Sequence, residues 1–215
     1  MKKAILLAAI SFSLIFCSFQ KEKWVKLFNG KDFSGWTIRG EQVKNDYRIE
    51  NDEIVGTSKP NSQNTFLCTN KNYDDFILEL EVKVDTGMNS GIQFRSESRP
   101  DFKNGRVHGY QAEIDPSARA WSGGLYDEAR RGWLVDLKNN PQGQKAFKKF
   151  DWNKYRIEAI GKTVKIFLNG VPTTDYTDTL ETRGFIALQV HGTKVQRPME
   201  VRWRNIRLQE LTRKQ

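Results

Sequence analysis

The stretch Phe76-Ile77-Leu78-Glu79-Leu80-Glu81-Val82-Lys83-Val84 decides the fold class, because from Leu78 onward apolar and charged residues alternate one for one. Successive side chains of a β-strand point to opposite faces. Leu78, Leu80, Val82 and Val84 therefore share one side, and Glu79, Glu81 and Lys83 the other. That is the pattern of an antiparallel strand with one face on a core and one in water. Working outward, the same period returns in Tyr155–Ala159, Val164–Leu168 and Val201–Leu208. Asn29-Gly30, Asn51-Asp52, Gly161-Lys162 and Asn169-Gly170 are tight-turn pairs between such segments. Gly161-Lys162 makes Tyr155–Leu168 a hairpin, and Asn169-Gly170 opens the turn into Val171-Pro172. No long amphipathic helix intervenes, so the sequence predicts an all-β, two-sheet antiparallel sandwich rather than βαβ units. Asn61–Asn72 and Asp127–Asp151 break the rhythm and read as long loops, apart from Trp133-Leu134-Val135.

The 215 residues suit one domain of this class. There is no internal repeat, low-complexity tract or interdomain linker. Met1-Lys2-Lys3 followed by the apolar run Ala4–Phe16 reads as a secretory signal, too short to span a bilayer. The expected layout is a signal over residues 1–17 and a mature domain over 23–211. Leu14-Ile15-Phe16-Cys17 has the form of a lipoprotein signal with Cys17 as the lipidated residue, although Phe16 stands where such signals carry a small side chain. The expected location is therefore the periplasm or the cell envelope, with anchoring through Cys17. The only other cysteine, Cys68, then has no disulfide partner and reads as a buried small hydrophobe. Of the formal charge of +9, Lys2 and Lys3 account for two, leaving +7 on the mature chain. Its Lys and Arg are dispersed, with no long run of like charges and no basic helix, which argues against a nucleic-acid partner.

Three more strand-like segments carry unusual polar groups: Ser90–Arg95, Gly109–Asp115 and Gly184–Gly192. At period two, Gln93 and Arg95 share a side of the first, Gln111, Glu113 and Asp115 of the second, and Gln189 and His191 of the third. The opposite sides are apolar. Adjacent in one sheet, these strands would gather amides, carboxylates, a guanidinium and an imidazole on one face. Amides and carboxylates pair with vicinal hydroxyls and aromatic rings cover sugar faces, so the set fits a carbohydrate cleft. It also fits an ordinary solvated sheet face, and periodicity alone does not separate the two. Signatures of other chemistries are missing: no Gly-x-Ser-x-Gly, no phosphate-binding glycine loop, no Cys-x-x-Cys. His108 and His191 are too few for a multi-histidine zinc site.

These segments, in their order and spacing, resemble the bacterial family DUF1080, described as 3-keto-disaccharide hydrolases. The resemblance runs from about Trp24 to Leu211. It rests on Leu27–Trp36 (LFNGKDFSGW), Ser90–Arg95, Gly109–Asp115, Ser122–Tyr126, Asp151–Arg156, Leu168–Val171, Gly184–Gly192 and Arg204–Arg207. It implies a concanavalin A-like, lectin/glucanase-type jelly roll acting on a glycoside or disaccharide carrying a C3 ketone. Such a ketone acidifies the C2 proton, so a base can form an enolate, the C1 substituent leaves by β-elimination, and water then adds. That chemistry needs a base, a donor to the enolate oxygen and an acid for the leaving group. Glu113 or His191 is the candidate base, Arg95 the enolate stabiliser, and Asp115 the group that orients His191 or binds a metal. Gln93, Gln111 and Gln189 would hold hydroxyls, and Trp121 and Tyr126 would stack on the sugar. A divalent cation polarising the ketone is the alternative electrophile. Two other classes stay open. One is an ordinary glycosidase using Glu113 and Asp115, although Ala118 stands where a third acid of the Glu-x-Asp-x-x-Glu pattern would fall. The other is a carbohydrate-binding module without catalysis.

Overall fold

A computed structural model of the chain describes residues 19–21, 23–40 and 45–213. The expected signal over 1–17, with Cys17, lies outside the described residues. The strands are β1 (Phe19–Lys21), β2 (Val25–Lys26), β3 (Trp36–Gly40), β4 (Asp46–Glu50), β5 (Glu53–Thr57) and β6 (Thr65–Thr69). They continue with β7 (Phe76–Val84), β8 (Ser90–Glu97), β9 (His108–Ile114), β10 (Leu125–Glu128) and β11 (Gly132–Val135). After a short helix α1 (Pro141–Ala146) come β12 (Asn153–Ile160), β13 (Thr163–Leu168), β14 (Val171–Thr177), β15 (Phe185–Val190) and β16 (Glu200–Arg213). The first sheet runs β14-β13-β12-β7-β16-β5-β4, with β1 and β2 also paired to β16. The second runs β11-β10-β9-β8-β15-β6-β3. All pairings within the sheets are antiparallel, and the expected all-β sandwich is borne out. No helix among the described residues is long and apolar enough to cross a membrane.

The core forms where the alternation placed it. Leu78 and Leu80 of β7 lie opposite Ile157 and Tyr155 of β12, and Val82 lies opposite Trp203 of β16. All six are essentially inaccessible. Full burial of one such aliphatic side chain contributes roughly 1.5–3 kcal/mol, which makes the register costly to shift. The second sheet supplies Ile92, Phe94, Tyr110, Ala112, Ile114 and Leu188 from the other side. The hairpin at Gly161-Lys162 is present, closed by Ile160 opposite Thr163.

Asn61–Asn72 is not simply a loop. It contains β6, between β15 and β3, with every residue buried. Leu67 packs in the main core, while Phe66 and Cys68 face the other way into a second apolar cluster with Val107, Phe185 and Ala187. A strand covered on both sides shows no alternation, so period two could not reveal it.

Candidate functional site

Strands β9, β8 and β15 are direct neighbours, so the three polar segments do share one sheet. The register puts Gln189, Gly91 and Glu113 in one row across it, and Ala187, Gln93, Gln111 and Tyr126 in the next. Gly91 leaves a slot that the Gln111 side chain fills; a Cβ there would run into its amide carbon. Gln93, Gln111, Glu113 and Gln189 are all at most 4% exposed.

Four side chains on this face form a directed chain. The Ser96 hydroxyl donates to Gln93 Oε1 (2.6 Å), Gln93 Nε2 donates to Gln111 Oε1 (2.7 Å), and Gln111 Nε2 donates to Glu113 Oε2 (2.8 Å). Asn89 Nδ2 donates to Glu113 Oε1 at 2.6 Å. Both carboxylate oxygens therefore face donors. Burial nevertheless raises the Glu113 pKa to about 7, outweighing the bonds from Asn89 and Gln111, with further upward pressure from the charges of Asp115 and Glu128. A carboxyl poised near neutrality is suited to exchanging protons with a substrate.

His191 follows β15 on the same face as Gln189, one step beyond the strand's last pair. Its Nδ1 lies 2.6 Å from the Gly192 carbonyl, so Nδ1–H donates and Nε2 keeps a lone pair. Burial lowers its pKa, which favours the neutral ring. Asp115 does not orient it. The Asp115 carboxylate accepts from the Ser117 backbone N–H (3.1 Å) and from Arg119 Nε and Nη2 (both 2.9 Å).

Arg95 is not on this face. The register of β8 against β9 shifts between Phe94 and Glu97, and Arg95 takes a left-handed φ of 46°. A bulge inserts an extra residue and reverses the facing of the strand beyond it. The Arg95 guanidinium is buried and reaches across to the first sheet, donating to Asp74 O (2.8 Å) and the Asp75 carboxylate (2.9 Å) before β7 and to Gly161 O (2.8 Å) in the β12–β13 turn. Ser96, in its place, reaches Gln93.

The aromatic residues gather on β10, β11 and the turn before them. Trp121 and Tyr126 each meet Trp133 edge-on, with ring centroids 4.8 and 5.2 Å apart. The Arg119 guanidinium lies 4.8 Å from Trp121 and 5.4 Å from Trp133, linking this cluster to Asp115. All three rings are half-buried, as a stacking platform requires.

The sequence reading missed Glu128. It stands two residues beyond Tyr126 on β10, so the period-two rule that selected Tyr126 would also have selected it. Gln189 Nε2 donates to its Oε2 at 3.4 Å, and Arg106 approaches its Oε1 at 3.6 Å. Burial raises its pKa despite Arg106 and Asn64 nearby. Gln189 Oε1 is buried with no partner among the described residues, a free acceptor at the centre of the face. Asn89 carried no signal in the sequence. No group of three or more His, Cys, Asp or Glu among the described residues is placed to hold a metal ion.

A family model, the 3-keto-alpha-glucoside-1,2-lyase-like domain, matches residues 23–209. The chain belongs to this family. The expected resemblance is thereby borne out over residues 23–209. Among solved structures, this lyase-like domain is similar to a candidate glycosyl hydrolase of Parabacteroides distasonis (21% identity, TM-score 0.63, covering 88% of this chain and 94% of that one). It is also similar to the carbohydrate-binding module CBM66 of Bacillus subtilis (19%, 0.53, 80% and 93%). A third likeness is to a Bacillus subtilis protein with a galectin-like fold (10%, 0.64, 92% and 100%). At these identities the likenesses establish the fold, a jelly roll of the lectin/glucanase type. No curated protein matches the chain.

Proposed function

We infer that the lyase-like domain cleaves 3-keto-glycosides by removing the C2 proton and expelling the C1 substituent, with water added afterwards for net hydrolysis. The observation that carries this reading is Glu113: a carboxyl brought to about 7 by burial, held by Asn89 and Gln111 on a face of amides and half-buried aromatic rings. Family membership supports the ketone-bearing substrate. In the step itself, Glu113 or the Nε2 lone pair of His191 takes the C2 proton. The C–H electron pair forms a C2–C3 enolate with its charge on the former ketone oxygen; as that enolate collapses back to the ketone, the pair becomes the C1–C2 double bond and the C1–O bond breaks. Glu128, whose pKa burial raises, gives its proton to the departing oxygen. With Arg95 committed to Asp74, Asp75 and Gly161, donors for the enolate oxygen come from Arg106 and the amides rather than from Arg95.

One observation favours a second reading. Glu113 and Glu128 are two buried carboxyls with raised pKa values on one face, a pairing that an ordinary glycosidase also uses. A 3-keto-disaccharide assayed beside its unoxidised parent separates the two. Elimination requires cleavage of the keto sugar alone, with deuterium entering C2 in heavy water. Equal cleavage of both sugars, without exchange at C2, identifies a glycosidase; binding of either with no turnover identifies a lectin-like module. We also propose, from the Lys2–Cys17 segment, that the protein works outside the cytoplasm, where it would meet exogenous sugars.

A further inference from the structure

The connection between α1 and β12 holds a large apolar ring out in water. Phe150 is 72% exposed, more than any other large hydrophobic side chain among the described residues. It also takes a left-handed φ of 64°, a region unfavourable for a bulky side chain. A lone exposed ring is ordinary, but one kept on disfavoured backbone needs a cause. Asn153, fully buried at the start of β12, supplies it. Its Nδ2 donates to Lys148 O (2.8 Å) and Asp151 O (2.9 Å), and its Oδ1 accepts from Lys148 N (2.7 Å). Asn169 Nδ2 donates to the same Oδ1 (2.9 Å) and to Ala146 O (2.8 Å). Two side-chain amides thus clamp the turn on both sides of Lys149 and Phe150. The fold itself presents the ring.

The charge around it is unbalanced. Lys145, Lys148 and Lys149 are exposed, and their side chains make no hydrogen bond or ion pair among the described residues. The only carboxylate between residues 145 and 152 is Asp151, which accepts from the Trp152 backbone N–H at 2.7 Å. Beyond the turn, the half-buried Trp152 ring has Arg204 at 4.0 Å and Lys83 at 5.1 Å. Lys154 and Arg204 are neutralised by Glu79 (3.2 Å) and Glu81 (2.6 Å), whereas Lys83 has no ion pair among the described residues. A sugar site surrounds its rings with a concave wall of amides and carboxylates, as the Glu113 face does; Phe150 projects from the surface among cations. A stable protein interface needs far more apolar area than one ring. An anionic bilayer needs only these parts: a ring that enters the headgroup boundary, and lysines whose stems lie along it with their ammonium groups at the phosphates.

We propose that residues 145–150 form a membrane contact, with Phe150 entering the surface of an anionic phospholipid bilayer while Lys145, Lys148 and Lys149 meet its phosphates. The contact is separate from the Glu113 face and does not depend on the lyase reading or on a lipid at Cys17. Its test uses the protein without residues 1–17, which keeps both sheets and the whole core, so that no acyl chain contributes. The protein should sediment with vesicles of phosphatidylglycerol and phosphatidylethanolamine, less so at high salt, and should stay in solution with vesicles of phosphatidylcholine alone. Lys148→Ala with Lys149→Ala should weaken binding by about tenfold or more. Lys162→Ala with Lys194→Ala, which removes the same charge from exposed positions elsewhere, should leave it unchanged. Phe150→Asn should also weaken binding by about tenfold, the loss of one buried ring, and should raise Tm, because asparagine accepts left-handed backbone. Equal sedimentation with both kinds of vesicle, equal weakening by the two lysine pairs, or full binding by Phe150→Asn would overturn the proposal.

Discussion

Glu113→Gln should stabilise the protein, and only at neutral and alkaline pH. The Glu113 pKa is about 7 in the folded chain against an ordinary 4.5. Between these values the folded state holds a proton that the unfolded state has released, so stability falls as pH rises from about 4.5 to 7 and then levels off. The difference between these two values corresponds to roughly 3 kcal/mol. Gln is isosteric and uncharged, so it escapes this cost while still accepting from Asn89. The Gln111 and Gln93 amides must both turn over, leaving Gln93 Nε2 to donate to Ser96 Oγ, which the chain permits because the Ser96 hydroxyl has other acceptors, Phe94 O at 3.1 Å and Tyr110 O at 3.3 Å. The variant should match the wild type at pH 4 and exceed it by about 3 kcal/mol at pH 8. For a domain of this size that is a rise of about 6–12 °C in Tm. Urea denaturation at pH 4, 6 and 8 measures the difference. A difference that does not change with pH would mean that Glu113 ionises normally, and the argument for it as a base near neutrality would fall.

Arg95→Met should cost about 3–5 kcal/mol of stability by leaving the buried Asp75 carboxylate without its cation; an Arg95→Lys protein with wild-type Tm but no turnover would instead restore the enolate-stabilising role. Ser96→Ala removes the donor at the head of the amide chain, so the Glu113 carboxylate loses support and the acid limb of the pH–rate profile should move upward; an unchanged limb would show that the chain does not reach Glu113 energetically. Glu128→Gln should lower turnover by about a hundredfold on substrates with poor leaving groups and far less on an activated aryl leaving group, the signature of a lost general acid; equal losses on both would remove that role. A fatty-acid probe should label the exported protein, and continued labelling of Cys17→Ala would exclude Cys17 as the anchor.

The parts of the fold legible in the sequence are those with one wet face. Strands β7, β12, β13 and β16 alternate because their outer residues meet solvent and their inner ones meet the core. Strand β6 was illegible because Val107 and Phe185 cover its second face. The candidate site was legible along unbroken strands, so Gln93, Gln111, Glu113 and Gln189 fall together as the period requires. It was misread at Arg95, since a bulge depends on backbone geometry that composition does not announce. The Asp115–His191 pairing failed for another reason. Asp115 lies just beyond β9, where Arg119 four residues on is a nearer cation than any group across the sheet.

The bulge at Arg95 bears on the chemistry as well as on the register. Had the alternation continued through β8, a guanidinium would stand beside Gln93, one residue from the carboxyl that Gln111 holds. The first sheet shows what cations do to a partly buried glutamate: Glu79, bonded to Arg207, Arg156 and Lys154, is brought down to about 2. Glu113 has only amide donors, whose dipoles offset part of the desolvation cost without carrying charge, and it rises to about 7. By turning Arg95 away toward Asp75 and bringing the Ser96 hydroxyl to the face, the bulge exchanges a fixed charge for a reversible donor. A carboxylate paired with arginine would be too weak a base for the proposed abstraction of a C2 proton; one held by amides in a buried site is a stronger base, and its protonated form still finds an acceptor in Gln111 once the amides turn. The placement of cations against the first sheet's outer face and amides against the second's therefore separates a permanently ionised glutamate from one that can exchange its proton near neutral pH.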